Sequence, residues 1–81
     1  MQTETEKGDV KMSVLSLNNT GGAVKALQIL LIGYGYSCGK AGADGDFGNS
    51  TNKALKNFQK DRVLTVDGYC GADTWTCLFG I

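Results

Sequence analysis

The strongest constraint on the fold is a motif that occurs twice in the second half of the chain. Residues 44–51 and 67–74 both fit the pattern D-G-x-x-G-x-x-T, and the two copies lie 23 residues apart. A glutamine that follows an apolar residue precedes each copy, Gln28 before the first and Gln59 before the second. The pattern therefore predicts a duplicated unit of helix, loop, Asp-Gly turn and helix start.

The repeated motif has a structural explanation that needs no ligand. Asp-Gly forms tight turns because glycine accepts positive φ, and the second glycine lets the backbone turn closely into the next helix. The Asn, Ser, Asp and Thr side chains that end each motif, and those of residues 18–20, are predicted to cap the helices that follow. Gln28 and Gln59 follow core positions, so we expect them to hydrogen-bond loop backbone amides from inside the fold.

Apolar spacing predicts three helices. A helical pattern covers residues 22–33, a second begins near residue 49, and a third runs over about 72–78. Six glycines between residues 33 and 48 indicate a loop, since so many would be costly inside a helix. The predicted class is all-α, a three-helix bundle with glycine-rich loops, a pseudo-twofold internal repeat and a short extended N-terminal segment. The predicted core comprises Leu27, Leu31, Leu55, Phe58, Trp75 and Leu78.

The N-terminal region divides into two parts. Residues 1–9 are polar and carry no periodicity, which predicts a linker or disordered arm, and the domain is predicted to span 10–81. Val10, Met12 and Val14 alternate with polar residues, so a short extended segment should lie across the core as an edge. The first residues lack the basic residues and apolar run of a secretory signal.

Size and charge exclude several classes of function. An 81-residue chain forms one small domain, with little room for an enclosed active-site chamber. The formal net charge is zero, so the positive field of a nucleic-acid or anionic-membrane binder is missing. The longest apolar run is far too short to span a membrane. We expect a soluble domain that binds neither nucleic acid nor membrane.

The three cysteines are interpreted as small packing residues. Cys38, Cys70 and Cys77 form no C-x-x-C pair, and the chain has no histidine, which argues against a zinc site. One disulfide with one thiol left over stays open as an alternative. Among the thiols Cys38, in a predicted loop, is expected to be the most reactive. No metal or cofactor is predicted.

The carboxylates favour turns and caps over catalysis. Glycoside cleavage needs two carboxylates about 5 to 9 Å apart across a sugar. Here Asp44 and Asp67 sit in Asp-Gly turns, Asp73 lies in a helix start, and no glutamate follows Glu6. The Ca²⁺-loop and phosphate-loop patterns also fail. The chain is not expected to be an enzyme.

Five motifs resemble the small peptidoglycan-binding domain family, a three-helix module found at the ends of cell-wall hydrolases. They are V-x-x-L-Q at 24–28, G-Y at 35–36, D-G-x-F-G-x-x-T at 44–51, A-x-x-x-F-Q at 54–59 and D-G-x-x-G-x-x-T-W at 67–75. The resemblance covers residues 14–80. The family's usual K-x-G-[DS]-x-G before the first helix is replaced here by Asn18-Asn19-Thr20-Gly21-Gly22. The lead-in and the Gly-Tyr loop look most like versions attached to endolysins and amidases of Gram-positive bacteria and their bacteriophages.

The resemblance implies a non-catalytic module that binds bacterial peptidoglycan or an associated wall polymer. It would target a murein hydrolase, such as an N-acetylmuramoyl-L-alanine amidase or an endolysin, present in cis or in trans. The chain would act at the cell wall, reaching it with a parent protein or on release at phage lysis. An alternative is an oligomerisation or assembly module of a lysin, a homo-oligomer formed through residues 10–17.

Binding residues are sought among exposed polar and aromatic side chains of the glycine-rich face, because sugars and stem peptides are held by hydrogen bonds and flat apolar contact. For each of them the alternative is a loop side chain that packs over a helix end, and Phe47 is the foremost candidate for the core. The predicted ligand-binding residues are Tyr34, Tyr36, Asp46, Phe47, Asn49, Ser50 and Tyr69.

Overall fold

The computed structural model describes residues 14–80, and within that range it contains three helices and no strand. Helix α1 spans Gly22–Gly33, α2 spans Asn49–Asp61 and α3 spans Ala72–Phe79. The all-α class and the three predicted helices are confirmed. The predicted arm at 1–9, and Val10 and Met12 of the alternating segment, lie outside the described residues.

Each helix buries one face against the other two. The buried positions of α1 include Leu27 and Leu31, one helical turn apart, and those of α2 include Leu55 and Phe58. Burying one such side chain stabilises the fold by about 1.5–3 kcal/mol. All six predicted core residues are buried. The buried apolar cluster is Leu15, Val24, Leu27, Leu31, Cys38, Phe47, Ala54, Leu55, Phe58, Cys70, Trp75 and Leu78.

The segment before α1 crosses both Asp-Gly motifs. Leu15 exchanges two backbone hydrogen bonds with Cys70, at 2.8 and 3.2 Å, while the Asn18 N–H donates to Phe47 and the Phe47 N–H donates to Asn19. Phe47 and Cys70 hold the same position in the two motifs, and both are fully buried. The described part of the predicted edge segment therefore joins the two units through isolated bridges.

The predicted side-chain caps are wrong. All three helices begin after a glycine, at Gly21, Gly48 and Gly71, and none of these starts has a side-chain cap hydrogen bond. Thr51 and Thr74 are the third residues of their helices and are buried, and their hydroxyls contact Gln28 and Gln59 and not the backbone of the helix ends. The prediction failed because it placed polar residues at the cap when the second glycine of each motif holds that position.

Helices α1 and α2 each end in a backbone turn of the same type. Gly35 (φ 98°) and Val63 (φ 59°) both take positive φ. In each turn the following residue donates its N–H to the carbonyl five residues earlier, at 2.9 Å after α1 and 2.8 Å after α2. This is the Schellman arrangement, in which glycine is usual because a side chain is strained there. Val63 therefore carries strain that Gly35 avoids.

The cysteines pack as predicted. Cys38 and Cys70 are buried, Cys77 is partly buried against the core, and all three are free. Burial raises the pKa of the Cys38 thiol above its ordinary value and raises that of Cys70 to about 12. The expectation that Cys38 is the reactive thiol is wrong, because its loop folds inward and removes the sulfur from solvent.

Candidate functional site

A buried glutamine organises the first Asp-Gly turn. The Gln28 Nε2 lies 2.9 Å from Thr51 Oγ1, 3.1 Å from Asp44 Oδ1 and 3.0 Å from the Asp46 carbonyl oxygen, and donates to these acceptors. Its Oε1 accepts the Gly45 N–H at 2.8 Å. One side chain of α1 therefore fixes both the turn and the first turn of α2.

The second Asp-Gly turn is held in the same way. The Gln59 Nε2 donates toward Thr74 Oγ1 (3.2 Å), Asp67 Oδ1 (3.0 Å) and the Tyr69 carbonyl oxygen (2.9 Å). Its Oε1 accepts the N–H groups of Asp67 and Gly68 at 3.2 and 3.1 Å. The predicted bonds from both glutamines to loop amides are confirmed. A pseudo-twofold relation between the two units stays a prediction.

The carboxylates of Asp44 and Asp67 accept hydrogen bonds that stabilise the two Asp-Gly turns. The Asp46 N–H and the Gln28 amide lower the pKa of Asp44, and the Tyr69 N–H followed by the Gln59 amide lower that of Asp67. Each carboxylate receives the N–H two residues ahead, at 3.0 and 2.9 Å. Both side chains are therefore held ionised as acceptors, which is the opposite of what a general acid needs.

A groove of about 370 Å³ lies between the loop after α1 and the exposed face of α2. We call it the Tyr36 groove. The Tyr36 ring forms one side, and the polar side chains of Ser50, Lys53 and Asn57 line the helix side. These three positions are separated by three and four residues, so they share one helix face. The groove is lined by Gly35, Tyr36, Ser37, Gly39, Ser50, Lys53, Ala54 and Asn57.

A smaller recess of about 190 Å³ adjoins the groove at the first Asp-Gly turn. Gly39 and Ser50 line both spaces, so the recess and the groove meet at these two residues. We call it the Asp46 recess; it is lined by Cys38, Gly39, Lys40, Ala41, Asp44, Asp46, Gly48, Asn49, Ser50 and Thr51. The structure thus brings together four of the predicted residues: Tyr36, Asp46, Asn49 and Ser50.

Tyr36 is held in position by the C-terminal end of α2. Its hydroxyl donates to Asp61 Oδ2 at 2.5 Å, and its ring meets the Phe58 ring edge to face at a centroid distance of 5.7 Å. The hydrogen bond to Asp61 raises the pKa of the Tyr36 phenol above its ordinary value. The aromatic wall of the groove is therefore fixed before any ligand arrives.

Three predicted site residues lie elsewhere. Tyr34 donates its hydroxyl to the Leu78 carbonyl at 2.8 Å and stacks beneath the Arg62 guanidinium, so it ties α3 to the other helices. Phe47 has no exposed surface, and its assignment to the ligand is wrong because its ring is core. Tyr69 is 56% exposed but lines a separate hollow of about 230 Å³ at the second Asp-Gly turn.

Sequence reasoning missed Ser37, Lys53 and Asn57. Lys53 and Asn57 follow Ser50 at helical spacing, so the face of α2 that carries Ser50 could have identified them. Ser37 gave no signal of its own, because its place in the groove depends on how the loop folds back over α2.

The lining of the Tyr36 groove is rich in hydrogen-bonding groups. The groove offers a flat ring, two hydroxyls, an amide and an ammonium group, which suit a ligand rich in hydroxyl, amide and carboxylate groups. Within residues 14–80 no cluster of three or more His, Cys, Asp or Glu side chains could hold a metal ion. No helix in the same range is long and apolar enough to cross a membrane.

Comparison with known families gives the site its context. The family described as peptidoglycan binding domain matches residues 20–78, which include all three helices almost entirely and both Asp-Gly turns. The chain belongs to this family. The resemblance seen in the motifs is therefore confirmed, and the Tyr36 groove is a feature of a peptidoglycan-binding domain.

Relatives of this domain include cell-wall enzymes. The N-acetylmuramoyl-L-alanine amidase CwlL of Bacillus licheniformis is 42% identical over 69 residues, which is 85% of this chain but only 19% of the amidase. The solved N-terminal domain of SleB is 38% identical with a TM-score of 0.80, over 86% of this chain and 93% of that one. The Burkholderia AP3 phage endolysin is 33% identical with a TM-score of 0.74, over 82% of this chain and 24% of the endolysin.

Proposed function

We propose that the chain is a non-catalytic module that binds the bacterial wall and holds an attached or partner murein hydrolase there. Family membership and the amidase and endolysin relatives support this proposal. The chain corresponds to 19% of the amidase and 24% of the endolysin, so most of each relative lies outside the shared domain. The observation that carries the proposal is the Tyr36 groove.

The groove supplies the contacts that a wall polymer needs. The Tyr36 ring offers a flat apolar surface for a sugar, and the hydroxyls of Ser37 and Ser50 and the amide of Asn57 offer hydrogen bonds. Asp46 and Asn49 continue the polar lining into the Asp46 recess. We assign ligand binding to the joined groove and recess, and we treat Tyr69 as part of a separate hollow.

A tethering role follows from this arrangement. Binding raises the local concentration of a hydrolase at its polymeric substrate, and several modules in one assembly would increase retention by avidity. Asp44 and Asp67 are engaged by buried glutamines and have lowered pKa values, so neither is suited to protonate a leaving group. Hydrolysis is assigned to the partner, and the site of action to the wall.

Co-sedimentation with purified sacculi tests the proposal. The 81-residue chain should be retained by sacculi from several species, before and after removal of secondary wall polymers, and should leave their turbidity unchanged. Asn57→Ala should weaken retention, whereas Lys60→Ala, at an exposed position of α2 outside the groove, should not. Retention no greater than that of an unrelated protein of similar size contradicts wall binding, and clearing of the sacculi contradicts the non-catalytic role.

Assembly of the chain with itself or with a lysin is the second candidate. The segment proposed for assembly carries two exposed apolar residues in its described part, Val14 and Leu17. An edge with exposed apolar side chains can add a partner segment. Light scattering at high protein concentration should then show a mass above that of the monomer, and a strict monomer removes this candidate.

A further inference from the structure

The Tyr36 groove carries a positive charge with no counter-charge in its lining. Among the eight residues that line it, Lys53 is the one with a charged side chain. Lys53 is exposed, and within residues 14–80 no hydrogen bond or ion pair engages its ammonium group. The formal net charge of the chain is zero, so the charge of this groove comes from the position of Lys53 and not from an overall excess of basic residues.

The adjoining recess has the opposite character. Asp44 and Asp46 line it, and Lys40 supplies its one cationic side chain. The Asp44 carboxylate is occupied by the Gln28 amide and by the Asp46 N–H, whereas the Asp46 carboxylate has no such contact in the described residues. The joined site therefore changes along its length, from a cationic end at Lys53 to an anionic end at Asp46.

We propose that the Tyr36 groove selects carboxylate-bearing units of the wall polymer and that Lys53 pairs with the ligand carboxylate. This inference rests on the proposed function and adds the ligand chemistry to it. Tyr36 then supports the sugar or peptide backbone next to the ion pair, and the hydroxyl and amide donors of the ligand point toward Asp46. A neutral glycan of N-acetylglucosamine lacks the group that Lys53 binds and binds more weakly.

Two carboxylates of peptidoglycan could meet Lys53. One is the lactyl carboxylate of muramic acid, which is free only where the stem peptide has been removed. The other is a carboxylate of the stem peptide itself. Both present the same chemistry to an ammonium group, so ligands that carry one or the other separate the two sources.

Isothermal titration calorimetry at low ionic strength tests the proposal on the 81-residue chain. The ligands are chitotetraose, glycan fragments stripped of their peptides by an amidase, and disaccharide peptides. We expect at least one anionic ligand to bind about threefold to tenfold more tightly than chitotetraose, the range of a charge-assisted hydrogen bond at a partly exposed site. The difference should disappear at about 1 M NaCl, where the Debye length falls to about 3 Å.

Variants assign the effect to one residue. Lys53→Gln should bind all three ligands equally, while Lys60→Gln, which removes the same charge from the same helix outside the groove, should keep the preference. Thermal unfolding of both variants checks that the fold is unchanged. Equal binding of all three ligands by the wild type, or a preference that survives in Lys53→Gln, overturns the inference.

Failure of the inference differs from failure of the proposed function. If the wild type is retained on sacculi but shows no preference for anionic ligands, wall binding stands and the role of Lys53 is refuted. If the wild type is not retained on sacculi at all, both are refuted.

Discussion

A Cβ added to Gly39 would lie 2.7 Å from Ser50 Oγ and 2.9 Å from Ser50 Cβ, distances at which a Cβ atom collides with its neighbour. Gly39 also has φ 86°, a region that favours glycine. The loop after α1 can therefore pass directly over the start of α2 only because residue 39 has no side chain. This contact lies where the Tyr36 groove and the Asp46 recess meet.

Gly39→Ala should lose both stability and wall binding. Positive φ costs an alanine about 1–2 kcal/mol, and the collision with Ser50 adds to that cost and pushes the loop away from α2. The matched control is Gly42→Ala, where φ is 62° and nothing lies within 4 Å of an added Cβ. Urea denaturation and sacculus co-sedimentation should show the larger loss in Gly39→Ala; equal losses in both variants contradict the close contact.

Gln59→Met should destabilise the fold strongly. The substitution keeps the approximate volume but leaves the Gly68 N–H and the Thr74 hydroxyl without their buried partner. Each unsatisfied buried group costs about 1–3 kcal/mol, so we expect a loss of about 2–4 kcal/mol in the free energy of unfolding. Lys60→Met, at the next and exposed position, should change it by less than about 0.5 kcal/mol. A small effect of Gln59→Met in chemical denaturation would show that the amide is dispensable.

Val63→Gly should stabilise the protein. Val63 is 91% exposed and has φ 59°, so its side chain gains little from burial while its backbone is strained. Removing the β-branched side chain should raise stability by about 1 kcal/mol, and the thermal midpoint by about 4–8 °C. Val66→Gly is the control, at an exposed position without positive φ. It should lower stability, because glycine there adds entropy to the unfolded state and relieves no backbone strain. A lower midpoint in Val63→Gly contradicts the strain.

Stability should fall as the solution becomes acidic. Asp44 and Asp67 have lowered pKa values in the fold, so their contribution is complete above the unfolded-state pKa, about 4, and is lost as pH falls through the lower native value. Denaturation midpoints measured between about pH 7 and pH 2 should show this decline. The double variant Asp44→Asn/Asp67→Asn should show a smaller decline of the midpoint as pH falls. A decline as large as that of the wild type would assign the effect to other carboxylates.

Local patterns were enough to predict the helices and much of the core. The bounds of α1 and the start of α2 follow from apolar spacing and from glycines, which act within a few residues of where they stand. The repeated motif also gave the roles of Gln28 and Gln59, because two copies of one pattern predict two copies of one set of contacts. The helices depend on neighbours in the chain, whereas the glutamine contacts join residues up to 23 apart and could be predicted because the motif is repeated. The sequence determined both kinds of feature.

Only the tertiary structure decided which candidate side chains form a site. Tyr34, Tyr36 and Phe47 all looked like loop aromatics, yet one ties α3 to the other helices, one forms a groove wall and one is buried. The difference comes from how the loop between α1 and α2 closes over α2, which brings Gly39 against Ser50. Contacts between distant residues depend on packing and loop closure, and neither leaves a periodic trace in the sequence.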